Sequence, residues 1–149
     1  MRTAEREGQV QWALEICRSQ GLRHTHSLER ILQELVKKDN PVNLSELNKV
    51  LQAEAECDPA TTYRCLIKLE RIGVVRRLGL HDRAAYYVLL TPGSHHDYLI
   101  CTDCGSIDRI DMECPVHALE ESLQKKSGFR KLYHELEFYG QCPKCQRDV

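Results

Sequence analysis

The chain has 149 residues, a formal net charge of −1, 42% hydrophobic residues and 29% charged ones. That length predicts one compact domain or two small ones, with enough chain to bury a core. The composition excludes a membrane-spanning helix, because the longest apolar run, Ala84 to Leu90, falls far short of the ~18 residues that a span needs. The charged start, Met1 to Glu7, carries no apolar stretch, so no signal peptide, no membrane partner and a cytoplasmic location are expected. Charge is unevenly spread. Residues 59–83 hold six basic side chains against two acidic ones, a local focus of the kind that a binding face needs. Eight cysteines in a chain without an export signal point to metal or redox chemistry rather than a disulfide framework.

In chain order, the apolar spacing predicts helices over Ala4–Ser19, Ser27–Lys37 and Ser45–Ala55. Ser27 is the expected cap of the second, and Leu47, Val50 and Leu51 the inward face of the third. Asn40-Pro41 separates those two. A fourth helix has the clearest punctuation: Asp58 as N-cap, Pro59 at the first position, Leu66, Leu69 and Ile72 as the buried stripe, and Gly73 at the end. Val74–Leu78 and Ala84–Leu90 read as strands around a polar turn at residues 79–83. Four helices and a hairpin outline a winged helix, in which the fourth helix enters the major groove. Thr91-Pro92-Gly93-Ser94 marks a boundary, giving a domain at 1–90 and another at 91–149. The second reads as strands near Tyr98–Cys101 and Ser106–Ile110, a helix near Val116–Lys126, a long hydrophobic edge strand near Lys131–Tyr139 and a Cys-rich tail. The fold class is α+β.

Cys101-x-x-Cys104 and Cys142-Pro-Lys-Cys145 are matched pairs. Each tight turn can aim two thiolates at one ion, and two turns complete a tetrahedral four-cysteine zinc site. The 37 residues between the pairs require a small subdomain to bring them together. The rival reading, a redox dithiol, lacks a thioredoxin-like context. Cys17 and Cys65 read as small buried hydrophobes; Cys57 and Cys114 stay undecided.

The run His95-His96-Asp97-Tyr98-Leu99-Ile100-Cys101-Thr102-Asp103-Cys104-Gly105 resembles the signature of the ferric uptake regulator family. Pro59-Ala60-Thr61-Thr62-Tyr63-Arg64-Cys65-Leu66 is similar to its recognition-helix motif, and His134-x-x-x-Phe138-Tyr139-Gly140-x-Cys142 to its closing segment. The resemblance runs from about residue 10 to the C-terminus. It implies a metal-responsive transcription regulator, a repressor binding a palindromic operator in double-stranded DNA as a homodimer. It also implies a winged-helix DNA-binding domain followed by a small α/β dimerisation domain with the four-cysteine zinc site.

The family's second metal site falls on His95, Asp97, His117 and His134, with His117 where the family has Glu. Imidazole suits several metals, so Fe2+, Zn2+ and Mn2+ all stay open. Solvated surface histidines are the plain alternative. The family's hinge site is broken: its ligand positions fall at or beside Pro41, at Val88 or Leu89, and at Tyr98, leaving only His96. His81, Asp82, His24, His26, Cys57 and Glu113 are the available substitutes.

The resemblance and the local charge together give a DNA-contacting set. Tyr63 and Arg64 would reach base edges or phosphate, and Lys68 phosphate. Thr61 and Thr62 lie at a helix N-terminus that favours phosphate. Arg76, Arg77 and Arg83 on the hairpin would reach flanking backbone, and Arg23 the minor groove. A solvated basic face is the rival reading for any single arginine. Alternatives for the whole chain are a zinc-uptake rather than an iron regulator, and a regulator that binds DNA without sensing metal. A metalloenzyme lacks an evident nucleophile or acid, so no enzymatic activity is expected.

Overall fold

Asp58 begins the element on which the first half is built. Its Oδ1 accepts the Thr61 backbone N–H at 2.9 Å and its Oδ2 the Thr61 hydroxyl at 2.8 Å, closing the N-terminus of helix α4 (Pro59–Arg71). These hydrogen bonds hold the Asp58 carboxyl below its ordinary value. A group with a depressed pKa contributes stability above its unfolded pKa and loses it as pH falls through the folded one. Asp58→Ala is therefore expected to lower the thermal midpoint by a few degrees at neutral pH. Melting curves of the two proteins should converge in acid. Gly73, at φ +76, ends α4 in the left-handed region that disfavours other residues.

A computed structural model of the chain describes residues 3–38, 40–55, 57–79 and 84–147. They fall into two compact units, Met1–Ser94 and His95–Val149. In the first, α1 (Thr3–Ser19) buries Val10, Ala13, Leu14 and Cys17 at helical spacing. Gln9 beside them places Nε2 within 3.2 Å of the Leu89 and Leu90 carbonyls and of Thr91 Oγ1, tying α1 to the end of the hairpin. Helix α2 (His26–Lys37) buries Leu28, Ile31, Leu32, Leu35 and Val36. Its cap is Thr25, whose hydroxyl accepts the Leu28 N–H at 3.1 Å, not Ser27. Thr25 is extended and three residues before Leu28, whereas Ser27 already has helical backbone and cannot reach back.

Strand β1 (Val42–Asn43) has no signature in the sequence and is defined by its partner, pairing Val42 with Tyr87 and Asn43 with Tyr86. Helix α3 (Leu44–Ala53) buries Leu47 and Leu51, but Val50 is exposed, so its buried stripe is narrower than expected. Ala55, at φ +55, stops this helix before the expected end. In α4, Leu66 and Leu69 are fully buried and Ile72 packs at the edge of the core. Strands β2 (Val75–Leu78) and β3 (Tyr86–Leu89) pair antiparallel from Val75–Leu89 to Leu78–Tyr86, giving the sheet order β1-β3-β2. Both are shorter than expected, and the turn residues 80–83, which include His81, Asp82 and Arg83, lie outside the described residues.

The second unit is a three-stranded sheet of order β5-β4-β6. Strand β4 (Asp97–Cys101) is central. It pairs antiparallel with β5 (Ile107–Ile110) and parallel with β6 (Glu137–Gly140). The parallel pair requires a crossover, which α5 (His117–Ser127) supplies, ending at Gly128 with φ +75. The expected long strand over Lys131–Tyr139 is only four residues, β6; Lys131 has φ +56, which no strand tolerates. The tail forms a short helix, α6 (Pro143–Arg147). Among the described residues no helix is long and apolar enough to cross a membrane.

Candidate metal centres and nucleic-acid face

Cys101 closes β4, Cys104 stands in the turn before Gly105, and Cys142 and Cys145 flank the start of α6. The parallel pairing of β4 with β6 is what joins the two CxxC turns, since Cys101 is level with Gly140 in the register. The Thr102 N–H donates to the Gly140 carbonyl at 2.9 Å and fixes the approach. The four Sγ atoms lie within 4.8 Å of one another, with Cys101–Cys145 at 3.9 Å and Cys104–Cys142 at 3.8 Å. A tetrahedral ion with Zn–S of ~2.3 Å sets its sulfurs about 3.8 Å apart, so the donors fit zinc. The backbone N–H groups of Cys104 and Cys142 donate to Cys101 Sγ at 3.5 and 3.3 Å, and they hold that thiol down at about 6. Cys145, crowded first by the Cys142 sulfur, is pushed up to about 12. Ser106, 3.3 Å away, holds the Cys104 thiol below its ordinary value as well, so a cation is needed above all to make Cys145 anionic beside the others.

A second group of donors gathers beside β4. His95 precedes the strand, Asp97 opens it, Cys114 lies between β5 and α5, and His134 lies between α5 and β6. Their ligand atoms are also within 4.8 Å of one another. The Asp97 side chain is only 8% exposed. Its Oδ1 stands 2.8 Å from His95 Nε2, yet it has no hydrogen bond. The two are close enough for an ion pair when His95 is protonated, but the alignment makes no hydrogen bond, so beside a neutral His95 this buried carboxylate oxygen is left for a cation to satisfy. Cys114 Sγ and His134 Nε2 are 3.0 Å apart, and the His95 and His134 rings lie 4.3 Å apart between centroids. Glu120 on α5 takes the other nitrogen of His134, Nδ1, in a hydrogen bond. A carboxylate there fixes the ring and leaves Nε2 free to ligate, as outer partners of metal-bound histidines do. The donor set fits a divalent ion.

Three of the four expected ligands, His95, Asp97 and His134, are brought together, and His117 is not. It is the first residue of α5, with a side chain 70% exposed and Nε2 3.6 Å from Glu121. Cys114 occupies the place instead. The sequence signal for it was an unpaired cysteine just before a helix start, without a CxxC partner. His96 is half-buried, and burial together with the Arg109 guanidinium keeps its imidazole below the ordinary value. His24, bonded to Glu29 at 2.9 Å, joins neither group of donors, and neither do His26, Cys57 and Glu113.

On α4 the residues facing away from Leu66 and Leu69 are Tyr63, Arg64, Ile67 and Lys68, and all are exposed. Arg23 is exposed and Thr61 and Arg77 are half-exposed. Two expected contacts are misplaced. Thr62 is fully buried, its hydroxyl donating to the Asp58 carbonyl at 3.1 Å, because it falls on the Leu66 side of the helix. Arg76 is also buried, because strand alternation puts it on the same side as buried Leu78. Cys17 is buried as expected, whereas Cys65 is only half-buried, and burial pushes both thiols up.

The model of the ferric uptake regulator family matches residues 19–139. The chain is 30% identical over 132 residues to the ferric uptake regulation protein of Bordetella parapertussis, covering 87% of this chain and 94% of that one. It is 32% identical over 97 residues to that of Neisseria meningitidis, covering 65% of this chain and 66% of the relative, just under two thirds. Among solved structures, the ferric uptake regulator of Francisella tularensis with iron is 28% identical, with a TM-score of 0.66 over 85% of this chain and 96% of that one. The Pseudomonas aeruginosa regulator with manganese is 26% identical, with a TM-score of 0.69 over 85% and 95%.

Proposed function

The chain belongs to the ferric uptake regulator family, and on that premise we propose that it is a metal-responsive repressor that binds a palindromic DNA operator as a homodimer. The observation that carries this reading is the convergence of His95, Asp97, Cys114 and His134 on one point, with a buried Asp97 oxygen left without a hydrogen bond. A divalent ion there would join β4 to the segments on either side of α5, and so order the second unit. The unit of residues 1–94 would be the DNA-binding domain, reading the major groove with Tyr63, Arg64 and Lys68 on α4. Arg77 and Arg23 would hold the flanking backbone. The unit of residues 95–149 would be the dimerisation domain.

Dimerisation is supported by what that unit leaves uncovered. Leu99 and Phe138, paired across β4 and β6, are 52% and 48% exposed. Leu119 and Leu123, one turn apart on α5, are exposed too, and α5 buries none of its residues. An apolar surface of this kind is satisfied by the same surface of a second copy about a two-fold axis.

The test measures metal content and DNA affinity on the same samples. The duplex is one selected by the protein from a random-sequence pool, and the metals are Fe2+, Zn2+ and Mn2+ in turn. Metal is expected to raise affinity by about 5–150-fold, the usual range of coupling between sites. His134→Ala should abolish that response while leaving the zinc of the four cysteines in place. Arg64→Ala should weaken binding by about 1–3 kcal/mol with or without metal. Affinity that no metal changes would overturn the metal-responsive reading.

A further inference from the structure

We infer that Cys114 is a thiolate ligand that makes the second centre selective for zinc over iron and manganese. This inference rests on the reading of that centre as a metal site. Cys114 Sγ is 3.0 Å from His134 Nε2 and belongs to the cluster of four donors, whereas His117 points to Glu121. The resulting set is two imidazoles, one carboxylate and one thiolate.

Two arguments bear on this set: one favours zinc, and the other favours Cys114 over His117 as the fourth ligand. The first is softness. Manganese favours carboxylate, carbonyl and water oxygens, and a thiolate turns the preference toward zinc. Zinc also stands above iron and manganese in the general order of divalent affinities. The second is charge. Asp97 and Cys114 together supply two negative charges, which a divalent ion cancels. Had His117 been the fourth ligand, one carboxylate and three neutral imidazoles would leave a net positive charge beside a carboxylate that is nine-tenths buried. An ion and ligand set that is itself neutral avoids that cost at Asp97, while the outer Glu120 carboxylate, 21% exposed, keeps contact with water. Glu120 assists by keeping the His134 lone pair on the inner nitrogen.

Cobalt is the probe, because a thiolate bound to Co2+ gives a ligand-to-metal charge-transfer band in the near ultraviolet and nitrogen or oxygen ligands do not. The full chain is first loaded with one zinc, which fills the four-cysteine site, and then titrated with Co2+. Native mass spectrometry verifies that the first zinc stays. The wild type is expected to bind one cobalt with a charge-transfer band, and zinc, but neither Fe2+ nor Mn2+, should displace it. His117→Ala should keep the band. Cys114→Ser should lose it, and its second-site zinc affinity should drop by at least about tenfold, the lower end of what even an outer partner costs. Its manganese affinity should be unchanged.

One cobalt bound without the band in the wild type overturns the thiolate ligand without recourse to a variant. So does a band that survives Cys114→Ser, or one that vanishes in a folded His117→Ala. A wild type that takes up no second ion removes the metal site itself, a different result from a site that binds through nitrogen and oxygen alone.

Discussion

Cys145→Ser, or removal of zinc by a strong chelator, is expected to unfold residues 95–149 while α1 to α4 persist. The reason is the poverty of that unit's core. Among its described residues, only Asp97, Tyr98, Ile100 and Cys101 are buried, all on β4. The helical unit, by contrast, is packed around Ile31, Leu32, Leu47, Leu51, Leu66 and Leu69. A unit of this size with so little apolar burial needs a staple. A structural zinc in a small peptide fold supplies ~10–16 kcal/mol of apparent binding free energy, more than most domains have in total. Hydrogen exchange is the appropriate readout. Amides of β4 should lose protection on zinc removal, and those of α2 should keep it. Protection of β4 that survives complete zinc loss would show that the sheet stands on its own packing.

The same site predicts how zinc loading depends on pH. Backbone donors hold the Cys101 thiol at about 6. The depressed value means that its thiolate is present above that pH and is lost as pH falls through it. Zinc uptake by the metal-free chain should therefore weaken as pH falls across the whole range, because Cys145 must give up its proton, and more steeply below about 6, where Cys101 must do so too. Uptake with no such steepening would mean that Cys101 is not the entry ligand.

Features carried by local chemistry are legible in the sequence. Asp58, Pro59 and Gly73 delimit α4 because capping and the left-handed turn depend on neighbours in the chain. The two CxxC pairs are legible because each turn is local, although their meeting depends on β4 and β6 lying parallel. Features decided at a distance are not legible. Strand β1 exists only because β3 offers it an edge. Residue type points Thr62 and Arg76 to the DNA face, but the side of the helix and the alternation of the strand turn them inward. Cys114 and His117 are three residues apart, and the start of α5 decides which one reaches the donors. Family position favours His117, and nothing in the spacing of residues 114–117 overrides it.

Leu99→Glu is expected to convert the protein to a monomer and to weaken operator binding by about 10²–10⁴-fold. Leu99 stands at the middle of the central strand, opposite Phe138 on β6 and Asp108 on β5. Its side chain is half-exposed, so a carboxylate there meets water in the isolated chain and costs folding only the roughly 0.2–1 kcal/mol of facing Asp108 across the strands. In a two-fold dimer each copy would bury that carboxylate against apolar groups, and the two-fold axis doubles the penalty. The loss of DNA affinity follows from losing the second head. When two heads are linked, the second half-site binds as an intramolecular event, which is worth the avidity factor quoted. A monomer keeps its contacts to one half-site and forfeits that factor. Met112→Glu is the control, because Met112 is an exposed apolar residue outside the strands and helices and should leave assembly intact. Sedimentation of both variants, with affinities for full and half operators, separates the cases. A Leu99→Glu protein that stays dimeric would place the interface elsewhere, and a monomer with undiminished operator affinity would show that one head suffices.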